Sequence, residues 1–454
     1  MFNQTLLLQL IQDIESEYLE FSDEFYSSKD IDTEKIKNLK KYGIEKALKD
    51  NYFMFKLLPM YRKTLININF DMHFMNYIIN YDFRIRIKLS DSIHIKLKHY
   101  HYLERKYGTF YIGKSLNDIW GARIIIPNIN NNIDELKELF DTLSTKDNVF
   151  KYYIKNTDSY RAIHCYFQTE NKYFPWELQI WDAQDKVMNT QSHNTHEEEK
   201  KIIKGGHTMY IHLIVFTRFG NGKEYGYDFS ATEFEAELIS KKSQELIDMT
   251  SDAEKALFTV HTLKTDDSTF ESVKEMDPYF KHAEQVKSIS EFIKIVDSNL
   301  NLTALDVAGY IEQRVPEIGN FALQKTLYYI YADFLERFGT SLFTSHFKAF
   351  DHGPVDTEVY RVKKYFKDQL KQSNAFELKV PFLSRSEEII KLVDEDIAKY
   401  SDYYSRVWKN YKGKNSDYNL THQKGTPWDR AYQRGQNSQI LDSDIIKYHQ
   451  LECR

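Results

Sequence analysis

The amino-acid sequence predicts an α+β domain followed by a mainly α-helical domain. Apolar runs of strand length are mixed with helical spacing up to about residue 230, whereas helical spacing prevails from about residue 289 onward. Between these regions, residues 264–281 are polar and weakly patterned, as in a linker. With 454 residues, the chain has room for two or three domains.

The elements of the first half can be predicted in order. Residues 4–60 are expected to form helices, the second of them lysine-rich and beginning at Thr33. The following segments are predicted as strands over 122–126, 160–167 and 176–181, helices over 134–144 and 183–204, a hairpin over 207–229 that turns at Asn221-Gly222, and a long helix over 232–263. Strands and helices mixed in this way predict a mixed, mostly antiparallel sheet flanked by helices. We place the first domain at 1–230, a helical connector and linker at 231–288, and the second domain at 289–454.

Composition and charge exclude several classes of protein. The net charge is -6 at pH 7, so no overall positive field attracts nucleic acid. Two cysteines, Cys165 and Cys453, are too few for a disulfide framework or a four-cysteine zinc site. The first residues lack the basic region and cleavage site of a signal peptide. No apolar run approaches the roughly 18 residues of a membrane span. We therefore expect a soluble, cytoplasmic protein without a membrane partner.

One string matches the sequence motif of a phosphate-binding loop. Residues 108–115 read GTFYIGKS, which fits the pattern G-x-x-x-x-G-K-[ST]. That loop needs a preceding strand and a helix starting at its Lys-Ser pair, because the helix N-terminus helps to hold the phosphates. Only Leu116–Ile119 separate the string from Trp120 and the next strand, so no helix of useful length fits. We interpret the string as a chance match.

Four other short strings point to nucleotide chemistry. They are Arg86-Ile-Lys88 with Lys96 eight residues further on, Asp118-Ile-Trp-Gly-Ala-Arg123, Tyr160-Arg161-Ala-Ile-His164, and Glu177-Leu-Gln179 with His193 sixteen residues after the glutamate. Polyphosphate transfer needs cationic side chains for the ATP oxygens, carboxylates for Mg²⁺ and a base for the attacking hydroxyl. These strings contain all three kinds of group.

Two arguments from the residues agree with this chemistry. Asp118 precedes a buried strand, where a carboxylate is costly unless it meets a cation or a metal ion. By strand parity, Tyr160 and His164 share one face of their strand, and Glu177 and Gln179 share one face of theirs. If those faces adjoin, an aromatic ring, an imidazole and a carboxylate line one cleft.

The order and spacing of the four strings resemble the synthetase domain of the RelA/SpoT family, over about residues 80–200. The resemblance implies a pyrophosphokinase in which an acceptor hydroxyl attacks the β-phosphorus of ATP in line and AMP leaves. It implies that Asp118 and Glu177 are catalytic and bind Mg²⁺, with Glu177 alternatively accepting the proton of the hydroxyl. The residues that it assigns to ATP are Arg86, Lys88, Lys96 and Arg123, and those that it assigns to the acceptor are Tyr160, Arg161, His164, Gln179 and His193.

Three positions depart from the family pattern, and all lie where the acceptor binds. Ser159 replaces the usual Gly before Tyr-Arg, Trp181-Asp182 replaces the usual Arg-Thr, and Ser192 replaces the usual Glu before the late His. The pair His193 and His196 has the i, i+3 spacing of metal ligands, but no cysteine or third histidine lies near in the sequence. We therefore assign the pair a capping or site-edge role, with metal binding as the alternative.

The second half carries three strings of its own. They are Phe321-Ala-Leu-Gln-Lys325 in an amphipathic helix, Ala349-Phe-Asp-His-Gly-Pro-Val355 in a turn, and Thr421-His-Gln-Lys-Gly-Thr-Pro-Trp428 in a second turn. Together they resemble the Panacea domain, a helical antitoxin module, over about residues 298–436. A RelA/SpoT-like synthetase beside a Panacea domain resembles toxin–antitoxin pairs of toxic small alarmone synthetases, here in one chain. The resemblance implies that the second half holds the enzyme inactive until a trigger, for example a phage protein, displaces it.

The acceptor is the least determined part of the prediction. Toxic members of the family modify the 3′-terminal adenosine of tRNA, which inhibits translation, or make free alarmones from GDP, GTP or AMP. A lysine cluster in the predicted second helix could grip a tRNA backbone, or could be an ordinary solvated face; it comprises Lys35, Lys37, Lys40, Lys41, Lys46 and Lys49. We expect tRNA, with alarmone synthesis as the first alternative and a catalytically dead binding scaffold as the second.

Overall fold

The computed structural model describes residues 4–67, 72–146, 149–157, 159–193, 209–219, 222–413 and 417–453. The chain divides into two compact units, Met1–Val296 and Asp297–Arg454. The fold is the expected α+β unit followed by a mainly helical one. Among the described residues, the structure has no helix with the length and apolar character needed to span a bilayer.

A nine-stranded sheet forms the centre of the first unit. Its strands, in chain order, are β1 (Asp82–Ile87), β2 (Trp120–Ile126), β3 (Phe150–Thr157), β4 (Tyr160–Phe167), β5 (Trp176–Asp182), β6 (Tyr210–Arg218), β7 (Glu224–Thr232), β8 (Thr259–Thr265) and β9 (Glu284–Val286). Their order across the sheet is β3-β4-β5-β2-β1-β8-β6-β7-β9. Only the β2–β5 and β7–β9 pairs are parallel among these neighbours, so the sheet is mixed and mostly antiparallel.

Helices cover this sheet and supply much of its packing. They are α1 (Gln4–Ser27), α2 (Ile44–Lys49), α3 (Leu58–Asn67), α4 (Met72–Asn80), α5 (Ser90–Tyr107), α6 (Ile112–Ser115), α7 (Ile133–Lys146), α8 (Lys186–His193), α9 (Glu237–Met249), α10 (Asp252–Leu257), α11 (Phe270–Met276) and α12 (Ile289–Asp297). One side of α1 is fully buried because apolar residues recur at helical spacing. Tyr18 of this helix packs edge-on against Trp176 of β5.

Strand β1 alternates strictly, and this alternation positions the cationic side chains. Phe83, Ile85 and Ile87 are buried in the core, while Arg84 and Arg86 lie on the opposite face and are partly exposed. Because successive side chains point to opposite faces of a strand, the apolar residues fix the direction of the arginines.

The prediction of a helical connector and linker over 231–288 is wrong, because this segment contributes strands to the sheet. Strand β8 lies between β1 and β6, where Arg86 pairs with His261 and Leu213 with Thr262. The predicted helix over 232–263 is interrupted at Ser251, whose capping box begins a new helix. The segment Thr259–Thr265 that follows is rich in β-branched threonine and valine, which favour a strand.

A buried arginine fastens this late segment to the first half. Arg62 of α3 is 1% exposed and donates to the backbone carbonyls of Lys88, Lys255, Ala256 and Phe258. Removal of such a cation would leave several buried carbonyls without donors, which is costly. The late segment is therefore part of the first compact unit, which extends to Val296.

The prediction of a lysine-rich second helix that begins at Thr33 is also wrong. Residues between α1 and α2 form turns, in which Asp32 accepts from the amide of Glu34 and Asn38 from that of Lys40. Asp and Asn compete with helix formation through such local bonds. Only Lys46 and Lys49 of the cluster are helical, in α2.

Other predicted elements agree with the structure. Strand β4 has the predicted bounds, and β5 and α7 differ from theirs by one or two residues. The β6–β7 hairpin is present, although Asn221 of its predicted turn lies outside the described residues. The predicted helix over 183–204 is α8 as far as His193; residues 194–208, including His196, are outside the described part of the chain.

Residues 108–115, which match the phosphate-loop motif by chance, have a structural role. Its helix, α6, contains four residues. The amide of Gly113 donates to the carbonyl of Leu39, and a Cβ at Gly113 would lie 3.1 Å from backbone atoms of Leu39 and Lys40. The glycine is needed for this close backbone approach.

The second unit is a helical body with one small hairpin. Its elements are α13 (Ala304–Arg314), α14 (Asn320–Phe338), β10 (Phe347–Phe350), β11 (Gly353–Asp356), α15 (Thr357–Tyr365), α16 (Lys367–Gln372), α17 (Ala375–Lys379), α18 (Ser386–Tyr411), α19 (Pro427–Arg434) and α20 (Asp442–Tyr448). Helix α14 is central and packs along α18. Most of its residues from Ala322 to Leu335 are buried.

The three strings of the second half meet around α14. The indole of Trp428 donates to the carbonyl of Phe350 over 2.8 Å. Lys325 is buried and donates to the hydroxyl of Thr421. At Gly353, φ is 120° and a Cβ would overlap the Lys325 ammonium, so that position requires glycine.

Candidate active site

The candidate site lies on one face of the sheet, where β1, β2, β5 and β4 are adjacent. Register places Arg86 beside Gly121, and Gly121 beside Glu177. Gln179 pairs with His164 on the next strand. The two faces that strand parity defines therefore adjoin, and the four strings converge on one surface.

Asp118 is the centre of a cationic cluster. Its Oδ2 atom accepts from the ammonium of Lys88, and its Oδ1 atom lies 2.9 Å from that of Lys96 on α5. A guanidinium nitrogen of Arg86 is 3.8 Å from Oδ2. Burial opposes ionisation of Asp118, but Lys88 and the other cations hold its pKa well below the ordinary range. Burial also lowers the pKa of Lys88 to about 8.

Glu177 is held by three donors from the sheet. Its Oε1 atom lies 2.9 Å from Nδ1 of His164 and accepts from the hydroxyl of Tyr166 over 2.7 Å. Its Oε2 atom accepts from the amide of Gln179 over 3.0 Å. Burial alone would raise the pKa of Glu177, but these bonds, that of His164 first, keep it lowered. The carboxylate is therefore ionised and fixed in position.

Arg123 adds a guanidinium to the Glu177 side of the site. Its guanidinium lies 3.7 Å from the ring centroid of Trp181, and its Nε donates to Oε1 of Gln179 over 3.3 Å. Gln179 thus bonds Arg123 with one end of its amide and Glu177 with the other. Trp181, one of the departures from the family pattern, is the platform that orients this arginine.

The aromatic residues next to His164 differ in exposure. Tyr160 is buried, its hydroxyl 3.2 Å from Nε2 of His164 and its ring beside Lys155 and Trp181. Tyr153 of β3 is 48% exposed, and its ring stacks on His164 at 5.0 Å with an interplanar angle of 5°. In this conformation, Tyr153 presents the more accessible ring.

Two predicted acceptor residues are not part of this cluster. Arg161 lies on the other face of β4 from Tyr160 and donates to Asn156 over 3.1 Å, because neighbouring residues of a strand alternate. Its backbone is held by Asn189 of α8. His193 is the last residue of α8, and its side chain lies outside the described part of the structure.

Four residues outside the predicted set line the same cavity. Arg84 bonds Asp82 over 3.1 Å and lies 4.0 Å from Asp277. His261 of β8, Asp277 and Tyr279 form the wall beside Arg86 and Lys88. Alternation with Arg86 could have identified Arg84, but the other three lie in a segment whose pattern resembled a helix and a linker.

Comparison with protein families gives two matches within the chain. Residues 85–201 match the region found in RelA / SpoT proteins, and residues 323–429 match the SocA-like antitoxin Panacea domain. Comparison with curated protein sequences finds no match. The first match supports pyrophosphate transfer in general as the reaction of the first unit. The chain therefore joins a RelA/SpoT synthetase region to a Panacea antitoxin domain, the arrangement of a toxin and its antitoxin in a single polypeptide.

Proposed function

We propose that the first unit transfers pyrophosphate from ATP to the 3′-hydroxyl of the terminal adenosine of tRNA and thereby inhibits translation. The observation that carries the proposal is the convergence of Asp118 with its three cations and Glu177 with its three donors on one sheet face. The Asp118 cluster suits a polyphosphate, and the Glu177 cluster suits an attacking hydroxyl.

The cationic cluster accounts for the donor side. Arg86, Lys88 and Lys96 together carry three positive charges around the single negative charge of Asp118. The excess charge of two would attract the ATP phosphates, and Arg123 adds a further cation on the neighbouring strand. These groups would neutralise the charge that develops as the bond between the α- and β-phosphates breaks and AMP leaves.

The donor set fits a magnesium ion that arrives with ATP. Mg²⁺ is usually held by one or two carboxylates together with substrate phosphates. Asp118 would hold it, and Glu177 is near enough to interact electrostatically with Asp118. When bound, the ion would neutralise phosphate charge. Asp118 becomes available to the ion only if Lys88 and Lys96 exchange this carboxylate for phosphate oxygens of ATP.

Glu177 is the group best placed to act on the acceptor. It is an ionised carboxylate whose orientation is fixed by His164, Tyr166 and Gln179. We assign it the role of accepting the proton from the attacking hydroxyl. Tyr153 and Tyr160 would contact the acceptor base, with the half-exposed Tyr153 as the first contact.

The lysine cluster offers weaker support for tRNA than the sequence suggested. Lys37 and Lys49 form ion pairs with Glu34 and Glu45, which reduces their net attraction for phosphate. Free alarmone synthesis from GDP, GTP or AMP is therefore the second candidate. Its support is that a nucleotide acceptor would need only the groups of the sheet face and none of those lysines.

The antitoxin domain gives the proposal its biological setting. We propose that the second unit keeps the first inactive and that a competing partner, such as a phage protein, releases it. A covalent tether raises the effective concentration of an inhibitor to roughly millimolar, so a weak interaction would suffice. Such an arrangement suits defence against viruses, because the toxin is made in advance and activated on contact.

Transfer of label tests the reaction. Residues 1–296, which form a compact unit, are incubated with Mg²⁺, ATP labelled at the γ-phosphate, and either deacylated tRNA, GDP or AMP. Label in tRNA supports the proposal, and label in a nucleotide supports the alarmone alternative. If no acceptor is labelled, the proposed reaction is wrong and the scaffold alternative gains support. If Asp118→Asn transfers label as fast as the parent chain, the role assigned to Asp118 is wrong.

A further inference from the structure

A cluster of metal-ligating side chains lies within the second unit. Asp333 of α14, His449 and Cys453 each offer one ligand atom, and these three atoms lie within 4.8 Å of one another. We propose that they bind a zinc ion. Imidazole, thiolate and carboxylate are the ligands that zinc prefers.

The distances suit a tetrahedral ion after a small adjustment. The Cys453 sulfur lies 3.8 Å from Nε2 of His449. Two such ligands on one zinc, with Zn–S of about 2.3 Å and Zn–N of about 2.0 Å, are separated by about 3.5 Å. Oδ1 of Asp333 lies 2.6 Å from the same Nε2. It would move away by less than about 1 Å when the ion replaces the proton between them.

The imidazole is already oriented as a metal ligand would be. His449 is fully buried, and its other ring nitrogen, Nδ1, lies 2.8 Å from Oε2 of Glu452. That carboxylate also accepts from the hydroxyl of Tyr328 over 2.9 Å. A carboxylate that fixes the far nitrogen of a histidine is the usual outer partner of a zinc-bound imidazole.

Buried carboxyl oxygens without hydrogen-bond partners provide an independent observation. Asp396 of α18 is 6% exposed and lies within hydrogen-bonding reach of Asp333. Its Oδ2 atom and Oε1 of Glu452 are buried and have no hydrogen-bond partner within the described residues. Three carboxyl groups thus surround one imidazole, and the two oxygens without partners are buried acceptors that a bound ion or its water would satisfy. Asp396 would supply the fourth ligand, directly or through water.

The exposed edge of the cluster gives the ion a route of entry. Cys453 is exposed and Asp333 is half-buried, whereas His449 is buried. Binding would release the proton of the Cys453 thiol and the proton on Nε2 of His449. The ion would fasten the last residues of the unit to α14 and α18. The Panacea match ends at residue 429, so two of the ligands lie beyond it.

Cobalt substitution tests this site in the full chain. The chain is purified, stripped with a chelator, and titrated with Co²⁺, whose bond to a thiolate gives a charge-transfer absorption band. We expect one equivalent of Co²⁺ with that band, displaced by one equivalent of Zn²⁺. Cys453→Ser should abolish the band, and this variant should fold because Cys453 is exposed. The matched control is Cys165→Ser, which alters the other cysteine, in β4 of the first unit.

The outcomes are distinct. Loss of the band in Cys453→Ser and its retention in Cys165→Ser support the site. His449→Gln should weaken Co²⁺ binding by at least about tenfold, as loss of a ligand or its outer partner does. Absence of a thiolate band in the parent chain, or a band that Cys453→Ser leaves unchanged, overturns the proposal. Thermal unfolding of each variant without metal shows whether lost binding reflects lost folding.

Discussion

Nδ1 of His164 lies 2.9 Å from Oε1 of Glu177, and Nε2 of the same ring lies 3.2 Å from the hydroxyl of Tyr160. One imidazole therefore connects the carboxylate to a buried aromatic ring on the same strand. The contact fixes the orientation of Glu177 and keeps it ionised. A base in a nucleophilic displacement needs both properties.

Glu177→Gln should remove the base and leave ATP binding nearly intact. We expect kcat to fall by at least about 100-fold, the usual loss for a general base, while KM for ATP changes by less than about threefold. Steady-state transfer to the acceptor measures both constants. Tyr166→Phe, which removes one donor to the same oxygen, is the milder control and should cost about tenfold or less. A Glu177→Gln chain with parental kcat would exclude this role.

Asp118→Asn should separate ATP binding from turnover. The substitution raises the net charge of the Asp118 cluster from about +2 to about +3, since Arg86, Lys88 and Lys96 remain. Metal-free ATP should therefore bind several-fold more tightly, while Mg²⁺-dependent kcat falls by at least about 100-fold. Calorimetry with ATP in EDTA, together with transfer kinetics, measures the two effects. Weaker binding of metal-free ATP would mean that Asp118 chiefly orders the cations.

Tyr279 should contribute to ATP binding although it lies outside the matched RelA/SpoT region. Its ring lies 4.9 Å from that of Phe216 and 5.3 Å from that of His261, and it lines the cavity beside Lys88. Tyr279→Ala should raise KM for ATP by about tenfold, as expected for loss of one aromatic contact. Tyr279→Phe is the control and should keep KM near the parental value. If the substitution raises only the KM for the acceptor, the Tyr279 ring contacts the acceptor and not ATP.

The sequence predicted one part of this site well because local rules governed it. Strand parity placed Tyr160 with His164 and Glu177 with Gln179, and the structure brings both pairs into contact. The position of Asp118 before a buried strand indicated a need for cations, and three are present. Each inference used residues a few positions apart.

The remaining part depended on contacts between distant residues. Strand β8 pairs with β1 across more than 170 positions, and its residues fit helical as well as strand spacing. Asp277 and Tyr279 lie in a polar stretch without periodicity, so only the completed sheet brings them to Arg84 and Lys88. Arg161, which the resemblance assigned to the acceptor, lies on the other face of β4 from Tyr160, because neighbouring residues of a strand alternate.

Asp82 should stabilise the first unit in a pH-dependent manner. Burial opposes its ionisation, but Arg84 and Lys186 hold its pKa at about 2. Against about 3.9 in the unfolded chain, the lowered pKa contributes up to about 2 kcal/mol, fully present above about pH 4 and lost as the pH falls through about 2. Asp82→Asn should lower the free energy of unfolding by that amount near neutral pH and by progressively less in acid.

Urea unfolding across this pH range measures the effect. Asp134→Asn is the control, because its ion pair with Lys137 is exposed and should contribute little. Equal pH dependence in Asp82→Asn and the parent chain would mean that the ion pairs with Arg84 and Lys186 do not persist in solution.

The boundary at about residue 296 should decide whether the enzyme can be separated from its antitoxin domain. A chain that ends at residue 230 lacks β8, so β1 loses a neighbour and the β6–β7 hairpin loses its connection to the rest of the sheet. We expect residues 1–230 to be unfolded by circular dichroism and residues 1–296 to fold, since the latter contain the whole sheet and the carbonyl partners of Arg62.

Residues 1–296 should also transfer pyrophosphate faster than the full chain, by at least about tenfold if the tether acts at roughly millimolar effective concentration on a micromolar interaction. Adding residues 297–454 as a separate chain should restore inhibition in a concentration-dependent way. Transfer assays with the same acceptor compare the three preparations. Equal rates for residues 1–296 and the full chain, with no inhibition by the separate second unit, would show that the Panacea domain does not restrain this enzyme.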